Sequence, residues 1–202
     1  SCNCAFADMG LNLGAGSLRS TAEDLLFNKA LPLNSYKTSR FTLEKNSANA
    51  LVMQTSIGQG NTLVSPMHMA LITSAIANDG VLMKPTMIDK IVNNSGDTVK
   101  ETEKTEYKRL MTSNEAGILG KLMKNVVENG TASALNGRGY TVAGKTGSAE
   151  FDENGSSHSW FIGYSNVDNP DIAIAVIVEN GGTGSEAAVP IAGDVFDAYY
   201  FD

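Results

Sequence analysis

Three runs in the last third of the chain have the length and residue types of strands. Residues 141–150, 157–164 and 171–179 are rich in β-branched and aromatic side chains and are separated by short turns of Asp, Asn, Gly and Pro. Turns that short join antiparallel neighbours, whereas parallel ones need a crossover of a dozen residues or more. The pattern therefore predicts an antiparallel meander of three strands. In the third run Ile172, Ile174, Val176 and Val178 point one way and Ala173, Ala175 and Ile177 the other. Both faces then need a cover, the small-residue face a close one. Residues 186–200 are the expected helix for it, with Val189, Ala192, Val195 and Tyr199 on one stripe and Pro190 in the tolerated first turn.

The upstream part reads as helices and loops. Residues 4–13 and 21–28 predict two short helices parted by Gly14-Ala15-Gly16-Ser17, with Thr21 as N-cap of the second and Glu23 and Asp24 in its first turn. Residues 31–61 are Ser- and Asn-rich with little periodicity and predict a loop, ending in Ile57-Gly58-Gln59-Gly60. Ser65 as N-cap, Pro66 at the first helical position, the face Met69, Ile72, Thr73 and Ile76, and the stop Asn78-Asp79-Gly80 define a helix. Residues 87–92 and 98–100 flank Asn93–Asp97 as a surface hairpin. Thr112 and Glu115 form a capping box for a helix whose stripe Leu119, Leu122, Met123, Val126 and Val127 is expected to be core.

Composition limits what such a chain can do. With 202 residues, 42% of them hydrophobic, it has enough material for one core. The net charge of −7 and 15 scattered Lys and Arg give no basic stripe for nucleic acid. The longest apolar run, residues 172–178, is far short of the roughly 18 residues of a spanning helix. Cys2 and Cys4, with His68 and His158 90 positions apart, match neither a disulfide framework nor a zinc set. Free, partly buried thiols, no metal and no cofactor are expected.

One stretch does not fit packing alone. Lys145-Thr146-Gly147-Ser148 sits in the middle of a predicted strand after Val142-Ala143-Gly144, where lysine and two glycines are poor core choices. An exposed functional edge explains them. Glycine admits another backbone, the hydroxyls can hold a carboxylate, and the lysine supplies positive charge.

The Lys-Thr-Gly triplet resembles the third active-site motif of penicillin-binding proteins and serine β-lactamases. Ser1-Cys2-Asn3 ahead of a predicted helix resembles their Ser-x-Asn motif, 142 positions before Lys145 and in the expected order. Ser56-Ile57-Gly58-Gln59-Gly60, the helix after Ser65-Pro66, residues 143–150 and Trp160-Phe161-Ile162-Gly163-Tyr164 are similar to class B penicillin-binding proteins, so the likeness covers nearly the whole chain. It implies an α+β fold of the serine β-lactamase and penicillin-binding transpeptidase type, an antiparallel sheet flanked by helices. It also implies roles. Ser1 and Lys145 would be proton-relay and electrostatic partners, and Asn3 would hydrogen-bond the substrate's peptide. Thr146 and Ser148 would hold the terminal carboxylate of a D-alanyl-D-alanine stem peptide or a β-lactam. The Ser148 N–H would form half of an oxyanion hole, and Gly147 would keep the strand open to the substrate's backbone.

The family's nucleophile motif, Ser-x-x-Lys, is missing, since no serine here has lysine three positions later. Thr42-Leu43-Glu44-Lys45 and Thr105-Glu106-Tyr107-Lys108 have the spacing with threonine but follow the second motif, against family order. Residues 1–202 are thus expected to be a partial transpeptidase domain, truncated to about three main strands plus helices and inactive alone. An uncovered core face and strand edge would favour a homodimer or higher oligomer, through pairing at residues 171–179. The resemblance further implies a membrane-anchored parent protein at the extracytoplasmic face of a bacterial cell. Two rivals stand beside it: a non-catalytic module that senses stem peptide or β-lactam, and an N-terminal nucleophile hydrolase using Ser1 and its own amine. Of the remaining features, His158 reads as structural, Trp160 as core, and residues 181–184 as the turn into the last helix.

Overall fold

The computed structural model describes residues 2–33, 36–151 and 157–201. At the start of the chain the free thiols Cys2 and Cys4 are exposed and not partly buried as expected. The first helix, α1 (Asn3–Asp24), runs through the first of the two segments read as separate helices and ends within the second. Gly14 is the reason: at φ 79° and ψ 155° it takes a backbone conformation open to glycine, so the chain kinks and continues. Thr21 is then an interior residue and not an N-cap, its carbonyl accepting the Leu25 N–H at 3.0 Å. Beyond the helix end, the Asn28 side chain exchanges hydrogen bonds of 2.9 and 3.0 Å with the Phe41 backbone and fixes the path of the polar stretch. That stretch is not all loop, because α2 (Asn49–Ser56) lies within it. No side-chain cap or first-turn acid announces α2; Val52, packed with Ala15 of α1 and Leu43, holds it in place.

Helix α3 (Pro66–Ala77) starts as its sequence requires, with the Ser65 hydroxyl accepting the His68 N–H at 3.2 Å. It is buried nearly all round, through His68, Leu71, Ile72, Thr73, Ala75 and Ile76. Four short strands follow: β1 (Val81–Met83), β2 (Lys90–Val92), β3 (Thr98–Glu101) and β4 (Glu106–Arg109). β1 pairs with β4, and β2 with β3 as the expected surface hairpin, exposed along its length. The capping box of α4 (Ser113–Asn129) forms as read. Its buried stripe is Ala116, Gly120, Met123 and Val127, whereas Leu119 and Leu122 face outward. Close packing turns the helix: a Cβ on Gly120 would lie 2.6 Å from the Tyr164 hydroxyl, so the small residues define the contact.

The meander is present as β5 (Val142–Glu150), β6 (Ser157–Ser165) and β7 (Ile172–Val178), all antiparallel in the order β5-β6-β7. One face carries Val142, Phe161, Ile172, Ile174 and Val176 against Val189, Ala192 and Phe196 of α5 (Ala188–Phe201). The opposite face sets Ala143, Ile162, Tyr164 and Ala173 against α3. The final helix thus covers the larger residues of β7, and the small-residue face, expected beneath it, belongs to α3. Its stripe also differs: Val189 and Ala192 are buried with Gly193 and Phe196, while Val195 and Tyr199 are exposed. A clamp at one edge sets this rotation. Arg138 pairs with Asp197, and Tyr140 donates to Asp197 Oδ1 at 2.5 Å. Burial pushes the Tyr140 phenol up to about 12, so it stays a donor.

Candidate active site

Among the described residues, β5 has a strand partner on one side only. In an antiparallel strand the N–H and C=O of one residue point the same way, and that direction alternates along the chain. The Ser148 carbonyl accepts Gln59 Nε2 at 3.3 Å from outside the sheet, so Ser148 and, two residues earlier, Thr146 turn their backbone groups to the free edge. The Thr146 carbonyl accordingly accepts Lys145 Nζ at 2.7 Å.

Side chains alternate too. Lys145 and Gly147 lie on the α3 side with Ile162 and Trp160 opposite them on β6. There they wall a cavity of about 570 Å³ whose far side is apolar, with Leu25, Phe27, Phe41 and Val64. Burial lowers the Lys145 pKa, because the ammonium gives up water for the single carbonyl it meets among the described residues. A lysine so placed gives up a proton at lower cost than a solvated one, so its neutral, proton-accepting form is easier to reach, and it keeps a donor aimed at the edge.

Thr146 and Ser148 lie on the other side. The Thr146 hydroxyl meets that of Thr131 at 2.5 Å, and the Ser148 hydroxyl accepts the Gly184 N–H at 3.3 Å. Gly184 presses close: a Cβ there would sit 2.6 Å from the Trp160 carbonyl oxygen and 2.8 Å from that of Gly147. The turn 181–184 therefore leads into α5, as read, and also backs the motif strand. The strand is clamped on one face and open on the other, an arrangement suited to presenting fixed donors and a charge to an extended ligand.

Lys145, Thr146, Gly147 and Ser148 all border the cavity. Ser1 lies outside the described residues. Asn3 is exposed in the first turn of α1 and borders a smaller hollow with Met53, Gln54 and Ile57; Ile57 lines both spaces. Neither Thr42 nor Thr105 lines the cavity. His158 is structural as read, its Nδ1 accepting the Asn180 N–H at 3.2 Å and its ring stacked 4.3 Å from that of Phe151. Trp160 is not plain core: it is half-buried and walls the cavity. Sequence reasoning gave no role to Gln59 or Thr131. Flanking glycines were a signal for the first, but nothing local marks the second.

Comparison with known proteins decides the family. The penicillin binding protein transpeptidase domain model matches residues 1–197. The chain belongs to this family. Peptidoglycan D,D-transpeptidase PbpA of Mycolicibacterium smegmatis is 30% identical over 202 residues, covering 95% of this chain and 40% of that protein. Penicillin-binding protein 3 of Bacillus subtilis is 31% identical over 186 residues, covering 88% of this chain and 26% of that protein. The transpeptidase-type chain therefore spans less than half the length of these relatives. Penicillin-binding protein A of M. tuberculosis, solved as an imipenem acyl-enzyme complex, superimposes with a TM-score of 0.85 at 28% identity, over 98% of this chain and 45% of that one. The α+β transpeptidase fold expected from the motifs is thereby shown. Among the described residues, no helix is long and apolar enough to cross a membrane.

Proposed function

We propose that these residues form the Lys-Thr-Gly half of a D,D-transpeptidase site, which crosslinks D-Ala-D-Ala stem peptides through a serine acyl-enzyme and takes β-lactams in the same place. The observation that carries this reading is the half-buried Lys145 on the wall of the cavity, beside the edge of β5 that has no strand partner among the described residues; Gly147 leaves that strand open to the substrate's backbone. Thr146 and Ser148 hold the substrate's terminal carboxylate. The outward-facing Ser148 N–H supplies half of the oxyanion hole. Lys145 and Ser1 relay the proton, and Asn3 binds the peptide on the other side. The nucleophile comes from outside these 202 residues, which contain no Ser-x-x-Lys, and its segment seats against the apolar wall of the cavity. The working protein is membrane-anchored and acts at the extracytoplasmic face, where peptidoglycan is. The free side of β7 pairs with a second copy when this chain is isolated; a strictly monomeric elution at high concentration counts against that.

Intact mass after incubation with a labelled penicillin tests the division of labour. The 202-residue chain is expected to show no adduct, and the full gene product one adduct per chain. A stable adduct on the 202 residues alone overturns the assignment of the nucleophile. A full gene product that binds penicillin reversibly but forms no adduct selects a sensing module instead.

A further inference from the structure

The loop after α2 is built around one side chain. Gly58 and Gly60 have φ of 81° and 76°, the left-handed region that favours glycine, and they bracket Gln59. A Cβ on Gly58 would meet nothing within 4 Å, so conformation and not crowding calls for glycine there. The Gly58 N–H donates to the Thr55 carbonyl at 3.0 Å and the Gln59 N–H to that of Gln54 at 2.9 Å, which ties the loop to the end of α2. This bracket aims the Gln59 amide across a sequence separation of 89 residues at the Ser148 carbonyl. That carbonyl is one an extended ligand must use if it adds to β5 as a further strand, since it is an outward acceptor on the free edge. The donor slot for the ligand's own amide N–H is thus already filled by a side-chain amide.

We propose that Gln59 is a positioning residue that sets selectivity on the acyl side of the site: its amide holds the Ser148 carbonyl and is displaced by the N–H of an amide-bearing ligand. The inference rests on the transpeptidase reading and deepens it. The ligand class follows from the chemistry. Peptides, and β-lactams with an acylamino side chain, exchange one hydrogen bond for another at Ser148 and gain little there. β-Lactams that lack an acylamino N–H leave Gln59 in place.

The test uses the full gene product with Gln59→Met, which keeps the length of the side chain and removes the donor, and Gln59→Glu, which keeps its shape. Second-order acylation rate constants are measured with an acylamino penicillin and with a carbapenem, alongside melting temperature. Both variants are expected to raise the penicillin-to-carbapenem ratio roughly threefold to tenfold, the size of one neutral hydrogen bond. An unchanged ratio, with or without an equal loss for both ligands, overturns the inference and leaves Gln59 a structural residue. A fallen ratio overturns it as well, since Gln59 then assists the amide-bearing ligand. Wild-type protein that is acylated by neither compound defeats the transpeptidase reading itself.

Discussion

The two faces of the β5–β6–β7 sheet treat their polar groups in opposite ways. Under α5 the buried Ser159 hydroxyl is fully employed, donating to the Thr183 carbonyl at 2.7 Å and accepting the Ala188 N–H at 3.0 Å, and Phe161, Val189 and Phe196 are completely buried around it. On the α3 side packing is equally close at Ala143 and Tyr164, but it gives way to the cavity at Lys145 and Trp160. Thr55 and Thr62 border that cavity with buried hydroxyls that have no partner among the described residues. A face that only stabilises satisfies its polar atoms internally. A face meant for a further occupant leaves some of them over.

Substitutions can break this contrast. The largest effect is expected from Phe196→Ala on the sealed face, about 3–5 kcal/mol of unfolding free energy by urea titration, because the side chain has no exposed surface to relax into. Gly144→Ala should cost about 1–3 kcal/mol, since its Cβ would lie 2.3 Å from Phe161 Cζ in a core without slack. Ser159→Ala should lose a similar roughly 1–3 kcal/mol by leaving the buried Ala188 N–H unpaired. Thr55→Val, on the cavity side, should have the opposite sign and stabilise by up to about 1 kcal/mol, as it removes an orphan hydroxyl. If Thr55→Val destabilises as much as Ser159→Ala, the two faces do not differ as described.

Lys145 gives the subtlest difference. Burial holds its pKa below the ordinary lysine value of 10.5. Between the folded value and 10.5 the unfolded chain binds more protons than the folded one, so stability rises with pH across that window. Lys145→Met is expected to flatten this rise in a series of denaturation curves at increasing pH. A slope unchanged in the variant would assign it to another group.

Much of the fold was legible because its signals are local. The Ser65 cap with Pro66, the Thr112–Glu115 box and the alternation of β7 each lie within a few residues, and each formed as read. The motif strand was legible for a related reason, since lysine and glycine there contradict packing. What failed was non-local. α2 carries no cap and depends on Ala15 and Leu43. Which stripe of α4 and α5 turns inward was settled by the Tyr164 hydroxyl at Gly120 and by the Arg138–Asp197 pair. A helical repeat shows that a stripe exists, but an adjacent stripe of similar polarity can be buried instead when the partner's shape favours it.

The sequence by itself determined the strand order of the meander, the two capped helices and the identity of the motif that lines the free edge. Tertiary structure alone decided that α3 and not α5 covers the small face of β7, that Thr131 and Gly184 back the motif strand, and that Gln59 reaches the Ser148 carbonyl. Local rules act through backbone geometry within one or two turns of chain, so a short window contains them. Contacts between residues 59 and 148, or 131 and 146, depend on where whole elements come to rest, and that is fixed only when all of them pack at once.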